Sequence, residues 1–91
     1  MKQRIICKIT GRVQMVMFRD FAERKAKRFG IVGTVQNVPD GSVMVIAEGE
    51  ESILERYIEL LHKGSLLSRV DSVQVAQTEA TGEFKNFSIR Y

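Results

Sequence analysis

Gly11-Arg12-Val13-Gln14-Met15-Val16-Met17-Phe18-Arg19 is the stretch on which the fold turns, because the hydrophobic period changes across it. Before it, Ile5, Cys7 and Ile9 alternate with Arg4, Lys8 and Thr10, the period of a strand with one buried face, Ile6 being the exception. After it, Phe18, Phe21, Ala22, Ala26 and Phe29 recur at steps of three and four, with Arg24, Lys25, Lys27 and Arg28 on the other face. A strand is therefore expected over residues 3–10 and a helix over 18–29, closed by Gly30. Such a junction converges backbone N–H groups at the positive end of a helix dipole, which is the making of an anion site. Arg19, in the first helical turn, adds a planar fork of donors matched to two phosphate oxygens. Strand-turn-helix junctions with one arginine are common and most hold nothing, so spacing alone makes this a candidate and no more.

Working outward, Gly33 to Val38 and Ser42 to Ala47 read as two strands joined by the turn residues Pro39-Asp40-Gly41, a hairpin. Strand parity places Val35 and Asn37 on one face; if Val35 faces the helices, the Asn37 amide does too, and it needs a partner. Glu50 and Glu51 open a second amphipathic helix through Ile53, Leu54, Tyr57, Ile58 and Leu61, stopped by Gly64. A fourth strand follows around Val70 to Ala76. A fifth is expected over Phe84 to Tyr91, where Phe87, Ile89 and Tyr91 alternate with Ser88 and Arg90. The order β-α-β-β-α-β with an extra C-terminal strand predicts an α+β, ferredoxin-like sandwich. Its sheet is expected to be antiparallel with both helices on one face, and right-handed crossovers fix the hand.

Composition narrows the classes. A chain of 91 residues suits one two-layer core, so a single domain is expected over residues 1–91. No apolar run approaches the roughly 18 residues of a membrane span, and no charged head precedes an apolar signal core, so a cytoplasmic protein without a membrane partner is the expectation. The 14 basic and 11 acidic residues leave a net charge of +3, which attracts a small anion or, weakly, nucleic acid and does not decide between them. One cysteine and one histidine exclude zinc sites and Cys-His or Ser-His-Asp machinery. Cys7, at an inward strand position, is expected to be a small buried hydrophobe, and His62 to interact with the last carbonyls of its helix.

Gly11-Arg12-Val13-Gln14 and Phe18-Arg19, taken with Gly33-Thr34-Val35-Gln36-Asn37 and Asp40-Gly41-Ser42-Val43, resemble the acylphosphatases. The similarity runs on through Lys63-Gly64-Ser65, Ser68-Arg69-Val70 and Asn86-Phe87-Ser88-Ile89-Arg90-Tyr91, nearly the whole chain. It implies an open-faced sandwich that hydrolyses the mixed anhydride of a carboxylic and a phosphoric acid, with no metal or other cofactor. The partners it implies are a small-molecule acyl phosphate and the product orthophosphate, with no nucleic acid, and a monomer is expected. The family's phosphate loop falls on Gln14, Met15, Val16, Met17, Phe18 and Arg19, its catalytic arginine on Arg19, and the asparagine that orients the attacking water on Asn37. Residue chemistry points the same way. An acyl phosphate already has a good leaving group, so the protein has to supply neutralisation of phosphoryl charge and an aligned water. A strong general base is dispensable, in keeping with the family mechanism in which the substrate's own phosphate takes the water's proton.

The chain departs from the family at Met15, where the loop usually has glycine, while Met17 stands at a variable position that is often glycine but also takes larger residues. If residue 15 must be left-handed, methionine costs roughly 1–2 kcal/mol there, and its side chain must avoid the anion. A working enzyme with Met15 turned away is the favoured outcome, and a catalytically impaired binding or regulatory domain is the alternative. An RNA-binding module of the same topology ranks below both, because the outward residues Ile6, Lys8, Met44 and Ile46 offer no aromatic ring for a base to stack on.

Overall fold

The computed structural model describes Met1–Tyr91. Its elements are β1 (Lys2–Arg12), α1 (Phe18–Phe29), β2 (Val32–Asn37), β3 (Val43–Glu50), α2 (Glu51–Lys63), β4 (Arg69–Glu79) and β5 (Phe87–Arg90). The five strands form one sheet in the order β4-β1-β3-β2-β5. Period-two burial holds along β1, where Ile5, Cys7 and Ile9 are buried, and along β3, where Val43, Val45 and Ala47 are. Their registers pair Ile5 with Ala47, Cys7 with Val45 and Ile9 with Val43. Phe18, Phe21, Ala22 and Ala26 of α1 and Leu54, Tyr57 and Leu61 of α2 complete the core. Each large side chain buried here contributes about 1.5–3 kcal/mol. The Tyr57 hydroxyl donates to the Ala22 carbonyl at 2.8 Å, so the one polar atom carried into the helix interface has a partner. Cys7 is fully buried, and burial pushes its thiol up to about 12, which makes it a packing residue as expected.

The first four strands are antiparallel, as the element order predicts, but β5 pairs parallel to β2, with Gly33 opposite Phe87 and Gln36 opposite Arg90. The sheet is therefore mixed. The reason is geometric: β4 finishes with Glu79 beside Gln3, at the end of the sheet where β2 starts. Residues 80–86 run along that end to the free edge of β2, and a strand begun there points the same way as β2. β5 is correspondingly shorter than the expected Phe84 to Tyr91, because Phe84 belongs to the crossing segment and lies over the Arg4 guanidinium, 5.2 Å from it.

Glu48 pins this crossing. It is 4% exposed and accepts from Arg4 Nε at 2.7 Å, the Thr81 N–H at 3.0 Å, the Thr81 hydroxyl at 2.9 Å and the Gly82 N–H at 3.0 Å. Arg4 also pairs with Glu83. Burial pushes the Glu48 carboxyl upward, yet the Thr81 N–H, Arg4 and the Gly82 N–H outweigh it and hold the pKa at about 2. Because the folded value is depressed, the stability it contributes is present above the ordinary glutamate range and is lost as pH falls toward 2. Glu48→Gln is expected to cost on the order of 2–4 kcal/mol at pH 7 and to flatten stability between about pH 5 and pH 2, measured by denaturant unfolding across pH.

Candidate active site

β1 and β4 lose register between Thr10 and Gly11, and Gly11 sits at φ 124° where a Cβ would lie 2.2 Å from the Arg69 carbonyl oxygen. Only glycine fits that bulge, which turns the chain off the sheet and into the loop. Val13, Val16 and Phe18 are buried and anchor the loop in the core, while Met15 and Met17 are 98% and 69% exposed. The backbone follows the same alternation. Met15 has φ 61° and Met17 φ 62°, both left-handed, and neither Gln14 nor Val16 shares that sign. Alternating φ of this kind folds successive N–H groups into a concave nest that suits an anion.

The N–H groups of Gln14, Met15, Val16 and Met17 donate to no protein acceptor. Met17 is the N-cap of α1, and no side chain caps that helix start. Four free donors thus run straight into the positive end of a helix dipole. The second left-handed residue stands at the variable position of the family pattern, where glycine is frequent, so its backbone was partly foreseeable.

Side chains fix the loop from three directions. Gln14 donates both amide hydrogens, to the Val38 carbonyl at 2.7 Å and the Ser42 carbonyl at 2.8 Å, so its side chain clips the loop to the β2–β3 hairpin. The hairpin is itself locked by Asp40, which accepts from the Ser42 N–H and hydroxyl and pairs with Lys8 at 3.0 Å. The Ser65 hydroxyl donates to the Val16 carbonyl at 3.4 Å, bringing the α2–β4 loop alongside.

Arg19 is half-buried and forms no ion pair, unlike Asp20 beside it, which is held by Arg24 at 2.9 Å. Its guanidinium lies 4.9 Å from the Tyr91 ring centroid. Met15, Met17, Phe18, Arg19 and Tyr91 line a cleft of about 430 Å³. Asn37 is not on that lining; it ends β2 next to Val38, where Gln14 is anchored, with the Gln36–Arg90 register linking it to the residue before Tyr91. As parity predicts, Asn37 shares the inward side of β2 with Val35, and its Oδ1 is buried without any donor. Tyr91 and the Gln14 clip were not legible as site features, because both depend on pairings distant in sequence.

A cation without a counterion, four unpaired donors and one orphaned amide oxygen gather at one end of the sheet. This is equipment for holding a small oxyanion beside an oriented polar molecule. On the open face Ile6, Lys8, Met44 and Ile46 are half-buried, and Phe84, the aromatic brought there, lies over Arg4. The arrangement gives the RNA-binding alternative no stacking platform on β1 or β3.

Known proteins resemble this chain over nearly its whole length. The acylphosphatase of Salinibacter ruber is 43% identical over 89 residues, 98% of this chain and 94% of that one. The acylphosphatase of Thermus thermophilus is 41% identical over 86 residues, covering 94% and 97% of the two chains. The crystal structure of the acylphosphatase from Bacillus subtilis superposes with a TM-score of 0.92 at 36% identity, covering each chain completely. The Acylphosphatase family model matches residues 5–89, and this chain belongs to the acylphosphatase family.

Proposed function

We propose that residues 1–91 act as a single acylphosphatase domain, hydrolysing acyl phosphates to carboxylate and orthophosphate, in which the Gln14–Arg19 loop holds the phosphoryl group and Asn37 orients the attacking water. The observation that carries this is the row of unpaired N–H donors at Gln14–Met17, ending at an uncapped helix start beside the unpaired Arg19. The loop amides and the Arg19 fork neutralise the phosphoryl oxygens as charge shifts toward the leaving carboxylate. Asn37 Oδ1 accepts a hydrogen bond from the water and aligns its oxygen on phosphorus. The water oxygen bonds to phosphorus as the P–O bond to the acyl group breaks, the carboxylate departs with the bonding pair, and a phosphoryl oxygen takes the water's proton. No step needs a metal ion, and the groups involved come from one chain, so the working form in this proposal is a monomer, with the cytoplasm as its proposed location.

Met15 fits a working site. It takes the left-handed conformation the loop demands and sends its side chain into solvent. Met15→Gly is expected to stabilise the protein by about 1 kcal/mol in denaturant unfolding, by relieving that backbone strain. A tenfold or greater gain in kcat from the same substitution would instead favour the impaired domain. The function itself is tested by hydrolysis of acetyl phosphate in excess chelator: the expected result is turnover with competitive inhibition by orthophosphate. Absence of turnover in the folded protein would refute it.

A further inference from the structure

Met15, Met17, Leu66, Leu67 and Tyr91 are exposed and gather around the phosphoryl loop; the other large exposed apolar residues are Met1 and Val75. Apolar groups left in water contribute nothing to the stability of the free protein, and Met15 and Met17 also hold a strained φ that glycine adopts freely. Side chains retained on such terms point to a ligand.

Two depressions meet at Met17 and Asp20. One is the cleft that contains Arg19, and the other, about 220 Å³, lies between Met17 and Leu66–Leu67 over Val16. The Ser65–Val16 hydrogen bond holds the turn that carries Leu66 and Leu67 against the loop. Arg24 is the one cation on this second depression, and Asp20 occupies it at 2.9 Å.

We propose that the depression formed by Met17, Leu66 and Leu67 binds the acyl chain, making the preferred substrates acyl phosphates with an unbranched apolar chain of medium length. This rests on the acyl-phosphate reading of the loop. An acyl group is joined to phosphorus through one oxygen, so its chain has to leave the loop across the rim, and Met17 belongs to both depressions. Methionine is unbranched and polarisable and can follow a flexible chain. With Arg24 taken by Asp20, nothing on this surface pairs with a second carboxylate, so acidic acyl groups gain no affinity there.

Covering about half of each methylene is worth roughly a twofold gain, so octanoyl phosphate, six methylenes longer, is expected to exceed acetyl phosphate in kcat/KM by about 60-fold. Succinyl phosphate is expected to stay near acetyl phosphate. The Leu66→Ser/Leu67→Ser double variant, altered only at exposed positions, is expected to reduce the octanoyl-to-acetyl ratio at least about fivefold. Octylphosphonate should likewise bind the wild-type protein more tightly than methylphosphonate, a comparison independent of turnover. A ratio near one in the wild-type enzyme, or a ratio untouched by the double variant, overturns the proposal while leaving acyl-phosphate hydrolysis intact. Hydrolysis of neither substrate overturns the function and this proposal with it.

Discussion

Replacing Arg19 with alanine is expected to lower kcat for acetyl phosphate by at least about 100-fold, the scale seen when one preorganised donor to a developing charge is removed. Arg19 forms no ion pair, so its charge is uncommitted within the fold. Its guanidinium packs on the Tyr91 ring, worth about 0.5–1 kcal/mol at a surface position. Stability should accordingly change by no more than about 1 kcal/mol while activity collapses, and the two are separated by measuring kinetics and chemical unfolding on the same sample. Arg19→Lys keeps the charge but loses the planar fork, so it is expected to recover only part of the rate. An unchanged rate for Arg19→Ala would remove this residue from the mechanism.

Asn37→Ala is expected to reduce kcat by about 100-fold with little change in KM, because the amide acts on water and the phosphoryl group is held by other donors. Its effect on folding should be small and opposite to that of an ordinary buried polar truncation. Oδ1 is buried with no protein donor, a situation that costs about 1–3 kcal/mol, and truncation removes that cost along with some packing. The variant is therefore expected to unfold at the same denaturant concentration as wild type or a slightly higher one. Asn37→Asp adds charge next to a bound anion, so KM should rise as well as kcat fall. A variant that loses stability by several kcal/mol and keeps its rate would mean that Asn37 is structural.

Local periodicity made much of this legible. The helix over residues 18–29 is found where the three-and-four spacing places it, and the two-residue parity of β2 gives Asn37 its inward face. What could not be read depends on contacts between distant segments. Glu48 falls on the outward parity of β3 and would pass for a solvated acid, but the 80–86 crossing covers it and supplies two of its donors from backbone. Phe84 lies within the stretch expected as the fifth strand but on the parity of Ser88 and Arg90, and in the fold it packs over Arg4 in the crossing segment. The direction of β5 follows from where β4 ends, which no local pattern encodes.

Within the site, Gln14 belongs to a loop whose resemblance implies phosphate contact, and its unbonded N–H remains suited to that. Its side chain does something else, holding the loop to the hairpin that carries Asn37. The positions of Arg19 and Asn37 were readable because each sits at the end of a regular element. The two left-handed methionines were unequally readable: glycine is usual at residue 15 of the family pattern, and frequent at residue 17 where larger residues also occur.

The grip of the loop on a phosphoryl group can be observed without any turnover, by following backbone amide NMR signals as orthophosphate is added. The expected result is saturable shifts that are largest at Gln14, Met15, Val16, Met17 and Arg19 and are lost in Arg19→Ala. Saturable shifts centred elsewhere, or none at these amides at millimolar phosphate, would contradict a phosphoryl site at the start of α1.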